Sequence, residues 1–235
     1  MKEKKIDIAV HALKDMPSIE TDGLLTQCFL ERNDPREVLI TRNKKTLKEL
    51  KDGSVVGTSS YRREFQLNRQ NSKLKFKLIR GNVDTRLKKL NDGLYDAIIL
   101  SIAGIKFLGL EKYISQKFST SEIIPSVGQG VIALQCRKED IETQDILKNI
   151  NHINTKSCVE AERNILKVLE GDCETAIGAH AQITDGKISL EAELFSLDGK
   201  KRFYLKSSKE VNSAGLLGKE VGKILKEKSE NSYKK

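Results

Sequence analysis

An α/β fold of two hinged lobes, followed by a small α+β third lobe, is predicted by three features of the sequence. Short apolar strands alternate with amphipathic helices from Val38 to Phe107. Two stretches break that alternation: the polar run Glu31-Arg32-Asn33-Asp34-Pro35-Arg36 and the glycine-rich run Ile123-Ile124-Pro125-Ser126-Val127-Gly128-Gln129-Gly130. After Thr155 a long helical pattern gives way to strands separated by Asp-Gly turns. Two crossings between two α/β lobes describe a hinged pair with a ligand cleft between them.

Each element has its own signal. Ile6, Ile8 and Val10 predict a buried strand over 6–10 that runs into the turn His11 to Pro17. An extended stretch over 24–29 precedes the first crossing. Strands over 38–41, 54–56, 75–79 and 96–100 then alternate with helices over 47–50, 61–68 and 83–90 and a short one ending at Phe107. This alternation predicts a sheet of mainly parallel strands. Residues 131–136 read as a strand returning to the first lobe. Val159, Ala161, Ile165, Leu166 and Leu169 line one face of a helix that stops at Gly171. Strands over 179–184, 188–194 and 202–206 and a closing helix over 213–228 complete the third lobe. The domains are therefore 1–30 with 131–150, then 36–124, then 153–235. A parallel strand beginning almost at Met1 needs earlier partners, so the first lobe is expected to have units that precede this sequence.

The chemistry concentrates in two arginine-bearing turns, Gly57-Thr58-Ser59-Ser60-Tyr61-Arg62-Arg63 and Arg80-Gly81-Asn82-Val83-Asp84-Thr85-Arg86. Each follows a strand and opens a helix, where unpaired N–H groups and the helix dipole favour anions. Arginine adds two-pronged recognition of carboxylates or phosphates. Turns in consecutive strand–helix units should lie side by side at the carboxyl edge of one sheet. The expected ligand is a polyanion.

Charge supports a local site. The net charge is +9, of which residues 57–86 carry +6 and residues 200–235 carry +7, leaving −4 elsewhere. The C-terminal excess reads as a solvated helix face, since Leu217, Val221, Ile224 and Leu225 recur at helical spacing between lysines. No aromatic stacking motif or recognition helix accompanies the charge, so nucleic acid is not the expected partner. No apolar stretch is long enough to span a bilayer. Cys28, Cys136, Cys158 and Cys173 show no metal-binding spacing, nor do His11, His152 and His180, so no metal is expected. Three of the cysteines fall in apolar strands or a helix. Cys173 falls on a loop just past Gly171, where a thiol near cations can be reactive.

Several motifs together resemble hydroxymethylbilane synthases. They are Asp7-Ile8-Ala9-Val10-His11-Ala12-Leu13-Lys14-Asp15, the two arginine turns, Tyr95-Asp96-Ala97-Ile98-Ile99-Leu100, Pro125 to Gly130, and Leu169-Glu170-Gly171-Asp172-Cys173. The resemblance runs through the whole chain in order. It implies two periplasmic-binding-protein-like α/β domains, the first incomplete here, and a small α+β C-terminal domain. It implies a transferase that joins four porphobilinogen molecules head to tail, with loss of ammonia, into a linear tetrapyrrole. It also implies a dipyrromethane cofactor in thioether linkage to Cys173. Lys14, Thr58, Ser59, Ser60, Arg62, Arg63, Arg80 and Arg86 are implied to bind the carboxylates of cofactor and substrate. Asp15 is implied to be catalytic, beside the pyrrole nitrogens. A cytoplasmic monomer without nucleic-acid, membrane or metal partners goes with this resemblance. The sequence departs from the family pattern at Phe107, where a basic residue is common, and at Ala176, where a proline is. Read without the resemblance, Lys14-Asp15 is a turn ion pair. Two other classes stand beside the enzyme: a truncated two-lobe module binding small anions, and a binder of anionic polymers.

Overall fold

A computed structural model describes residues 1–171 and 175–234. The first sheet has three antiparallel strands, β1 (Ala9–Ala12), β2 (Leu24–Phe29) and β8 (Ile132–Arg137), with β8 in the middle. The chain thus leaves this sheet after β2 and returns through its centre more than 100 residues later. Its core is formed by Leu13, Phe29, Val131, Ala133 and Val159.

Between departure and return the chain builds a five-stranded sheet. Its strands are β3 (Glu37–Thr41), β4 (Val55–Gly57), β5 (Lys75–Lys77), β6 (Ala97–Ser101) and β7 (Gln116–Lys117), in the order β5-β4-β6-β3-β7. Successive residues of β3 and β6 point to opposite faces, and both faces are buried. Leu39, Val56, Ala97 and Ile99 pack with Leu67 of α1 (Tyr61–Gln70) on one side. Val38, Ile40, Ile98 and Leu100 pack on the other with Leu87 and Leu90 of α2 (Val83–Asn91) and with Ile102 and Ile105 of α3 (Ile102–Phe107). Two-sided burial explains the unbroken apolar runs.

The C-terminal unit is an antiparallel meander of β9 (Ile177–Thr184), β10 (Lys187–Phe195) and β11 (Arg202–Glu210). It is covered by α5 (Ile153–Leu169) and α6 (Ala214–Ser229), whose apolar faces share one cluster with the sheet. The helices touch at Gly218, where a Cβ would stand 2.0 Å from the Ala161 carbonyl oxygen. α4 (Ile141–Lys148) lies against the first sheet through Leu147.

The two crossings are bonded to each other. Asn33 N donates to Gly130 O at 2.8 Å and Gln129 Nε2 to Pro35 O at 2.6 Å. Gly130 has φ +81°, and a Cβ there would lie 2.5 Å from Asn33 O, so this approach requires glycine. A buried ion pair fastens the crossings to the third unit. Arg32 of the first crossing forms two bonds with Glu162 of α5, at 2.7 and 2.8 Å. Glu162 also accepts from Gly128 N and Ala181 N, both at 2.8 Å. Burial would push this carboxyl up, but Arg32 and His180 hold it down at about 2.

Three expectations are corrected. The strand expected over 6–10 is β1, over 9–12, and Ile6, Ile8 and Val10 are exposed rather than buried, Val10 by 66%. β1 is an edge strand, paired antiparallel with β8 on one side only. The central sheet is mixed. Only β4–β5 and β4–β6 pair in parallel, whereas β3 runs antiparallel to both β6 and β7. Parallel neighbours need a crossover helix, which α1 and α2 supply; the helix expected over 47–50 is a single 3-10 turn, Leu47–Glu49, between β3 and β4.

Candidate functional site

The first arginine turn follows β4. Thr58 is buried, and its Oγ1 accepts from Ser60 N at 3.1 Å, which closes the turn. Ser60 then caps α1, its Oγ accepting from Arg63 N at 3.4 Å. Arg62 and Arg63 therefore leave the first turn of a helix that is fixed at its start. Both are buried, and both reach Glu37, the first residue of β3. Arg63 approaches Glu37 with Nε at 3.0 Å and Nη2 at 2.8 Å. Arg62 donates through Nη2 to Glu37 at 2.6 Å and through Nη1 to Ile124 O at 2.8 Å. Burial of Glu37 would raise its pKa, but the two guanidinium groups hold it down at about 2.

Lys14 and Asp15 face this pair from the other lobe. They end a 3-10 turn, Leu13–Asp15, that directly follows β1. The turn is pinned by Leu13, which is buried and donates its N–H to Val131 O at 3.0 Å. Asp15 stays exposed, while burial and the nearby Arg63 lower the pKa of Lys14. Lys14, Asp15, Ser60, Arg62 and Arg63 line one cavity of about 200 Å³ with Ser126, Val127 and Gln129 of the second crossing. Leu166, Thr175 and Ile177 of the third unit complete its wall. Asp15 also borders a neighbouring cavity of about 250 Å³ with His11, Glu20, Gln135 and Arg163.

The second turn lies beside the first, because β5 is the parallel neighbour of β4. Asn82 caps α2, its Oδ1 accepting from Thr85 N at 2.9 Å. Arg80 is exposed, and half-buried Arg86 donates through Nε to Gly81 O at 2.7 Å. Burial and, after it, Arg63 lower the pKa of Arg86, so the two turns share one electrostatic field. Thr58, Ser59, Arg80 and Arg86 lie outside the wall of the 200 Å³ cavity. Cys173 lies outside the described residues, between Gly171 and the cavity-lining Thr175. Ser18, three residues past Asp15, donates to Gly171 O at 3.3 Å, which ties the segment after the Asp15 turn to Gly171.

The sequence pattern predicts guanidinium forks aimed at a ligand, whereas Arg62 and Arg63 both bond Glu37. The acid was missed because a glutamate at the head of an apolar strand reads as an exposed flank. Its one signal was position: the last polar residue of a crossing, opposite an arginine pair. Ser126 and Gln129 belong to the Pro125–Gly130 motif, and the structure adds them to the cavity wall. A larger cavity of about 450 Å³ surrounds Arg32 and His180, but Glu162 already neutralises that arginine. Among the described residues no cluster of three His, Cys, Asp or Glu could hold a metal ion.

The profile of the porphobilinogen deaminase dipyromethane cofactor binding domain matches residues 1–145, and that of the porphobilinogen deaminase C-terminal domain matches residues 156–227. The chain belongs to the porphobilinogen deaminase family. It is 41% identical to the porphobilinogen deaminase of Desulforamulus reducens over 225 residues, covering 96% of this chain and 73% of that one. It is 41% identical to that of Staphylococcus carnosus over 227 residues, again 73% of the relative. The Coxiella burnetii protein is 47% identical over 194 residues, which are 83% of this chain and 62% of that one. A solved putative methionine-binding lipoprotein from Bacillus subtilis superposes on 62% of the chain, with TM-score 0.41 and 15% identity, too distant to bear on function.

Proposed function

We propose that this chain works as a transferase in tetrapyrrole biosynthesis, joining porphobilinogen units with loss of ammonia, and that the cavity between the Lys14-Asp15 turn and the first arginine turn is where it does so. The observation that carries the reading is the convergence of three cations and one exposed carboxylate on that cavity. Porphobilinogen bears an acetate and a propionate, so every unit added brings two carboxylates for Lys14, Arg62, Arg63, Ser60 and the neighbouring Ser59 and Thr58. Arg80 and Arg86, at the rim of the same field, suit the more distant carboxylates of a growing chain. A small-anion receptor would use the two lobes but leave the third unit without a part.

The donor set fits a dipyrromethane, whose side chains are also carboxylates. Lys14, Ser60, Arg62 and Arg63 would hold those carboxylates, and Cys173 would carry the group. When bound, it supplies the pyrrole carbon from which the chain is extended. Asp15 acts on the substrate. Loss of ammonia from porphobilinogen leaves a cationic azafulvene, and a fixed carboxylate beside the pyrrole N–H stabilises that charge and can take the proton released on coupling. In support, Gly171, two residues before Cys173, accepts from Ser18 beside the Asp15 turn, and Thr175, two residues after it, lines the cavity.

Asp15→Asn tests the assignment. It keeps the hydrogen bond and removes the charge, so the variant should fold and yet lose on the order of 100–1,000-fold in tetrapyrrole formation. Near-normal turnover would return Asp15 to a structural partner of Lys14. Peptide mapping of active holoenzyme should find the dipyrrole adduct on Cys173; an adduct on Cys28, Cys136 or Cys158 would refute that attachment.

A further inference from the structure

Glu37 has no part in the reaction as assigned above, yet it is the most enclosed charge at the site. It is fully buried at the end of the first crossing, and its two carboxylate oxygens take three bonds from Arg62 and Arg63 at 2.6–3.0 Å. We propose that Glu37 is a positioning residue for catalysis: it locks Arg62 and Arg63 as a rigid pair on the cavity wall and cancels one of their charges, so that substrate carboxylates are oriented without being trapped. The inference rests on the function proposed above.

Geometry comes first. Adjacent guanidinium groups in a buried setting repel, and an unpartnered pair would splay toward water. Glu37 meets Arg63 in a two-pronged arrangement that fixes the plane of its guanidinium. Arg62 is held between Glu37 and Ile124 O, and Gln66 grips the same residue by donating to Ile124 O at 3.0 Å and accepting from Ile124 N at 2.6 Å. The arginine pair is thus set by both crossings at once.

Charge points the same way. Lys14, Arg62 and Arg63 against Asp15 and Glu37 leave the cavity one positive charge, and without Glu37 it would hold two. A polycarboxylate product must also leave, so a stronger positive field raises affinity for every state alike and does not speed the chemistry. Stability alone is a weak reason for such a pair, because buried ion pairs are often no better than packed apolar groups.

The test compares wild type with Glu37→Gln, which keeps the shape and removes the charge, and with Glu37→Asp, which keeps the charge but shortens its reach. Turnover is measured with porphobilinogen, and binding with the porphobilinogen analogue that lacks the aminomethyl group and so cannot react. We expect kcat to fall tenfold or more in both variants, since small misplacements of binding groups carry losses of about that size or larger. The Kd for the analogue should stay within about threefold of wild type in Glu37→Asp and become tighter in Glu37→Gln. Wild-type kcat in a folded variant overturns the proposal. So does a rise in Kd that matches the fall in kcat, which would mean lost binding rather than lost positioning. If neither variant folds, Glu37 belongs to the fold and the proposal is wrong. An inactive wild-type protein that does not bind the analogue would instead remove the functional reading itself, and this inference with it.

Discussion

The two arginine turns start alike and finish in different states. In each, a strand of the same sheet leads through a short turn to a capping residue, Ser60 or Asn82, and a helix begins. Arg62 and Arg63 are then drawn inward onto Glu37, while Arg80 remains in solvent and Arg86 folds back on Gly81 O. The reason is position in the sheet. β4 has β5 on one side and β6 on the other, and the second crossing runs past its end; β5 is the edge. An arginine leaving the middle of the sheet meets buried protein and requires a counterion, whereas one leaving the edge meets water. Similar strand–turn–helix starts thus yield a buried, neutralised arginine pair in one turn and a solvent-facing Arg80 in the other, the wall and the rim of the site proposed above.

Stability should separate the turns most sharply. Arg62→Leu leaves a buried Glu37 with one arginine partner and removes one of the two donors to the Ile124 carbonyl, which should cost about 3–5 kcal/mol. Arg80→Leu should change stability by no more than about 0.5 kcal/mol. Denaturant unfolding of both variants checks this, and similar losses would erase the distinction between wall and rim.

Acid should attack the two buried carboxylates, Glu37 behind the first arginine turn and Glu162 behind the crossings, and not the second turn. Glu37 and Glu162 are each held at about 2, against 4.5 for the ordinary side chain. A carboxylate with a depressed folded pKa contributes stability that is complete above about pH 4.5 and is lost as the pH falls toward 2. Each can contribute up to about 3 kcal/mol. Unfolding midpoints measured from pH 7 to pH 2 should drop mainly within that window. A drop centred on pH 6–7 would point to histidine instead, and would contradict the role given to these two pairs.

Activity should reveal the rim. Arg80→Leu is expected to impair cofactor assembly or elongation by about two- to fivefold, the range of a single exposed charge contact. The smallest effect belongs to Lys226→Leu, on the C-terminal helix, where Lys226 donates to Val168 O at 3.3 Å and approaches Glu170 at 3.5 Å, outside the cavity wall. It should alter neither stability beyond about 0.5 kcal/mol nor turnover. Equal turnover in the two variants would show that overall charge, rather than the turns, governs the reaction.

Much of this molecule was legible because local rules and tertiary structure agree. The double-sided burial of Val38–Leu39–Ile40 and Ile98–Ile99–Leu100 was written as continuous apolar runs between turns. The helix starts were legible as turns that follow a strand and open a helix, and the structure adds that Ser60 and Asn82 cap them. The crossings were legible as a polar stretch and a glycine-rich one, and Gly130 shows why the latter needs its glycine. Lys14 and Asp15 were located by motif, since nothing in their local pattern separates a catalytic carboxylate from a turn ion pair. The exposed Ile6, Ile8 and Val10 were misread because alternation records which residues are apolar, not what covers them.

By itself the sequence determined the alternation of strands and helices, the two arginine turns and their adjacency, because each depends on backbone geometry and side-chain periodicity within a few tens of residues. It also determined family membership, through motifs spread in order along the chain. Only the tertiary structure decided which charges meet. Glu37 lies 25 residues from Arg62 and Glu162 lies 130 from Arg32, and a carboxylate meets its arginine only after strands from distant segments have been placed side by side. Pairing of charges is a property of the packed interior, where the low dielectric demands a partner and the fold determines which one is within reach.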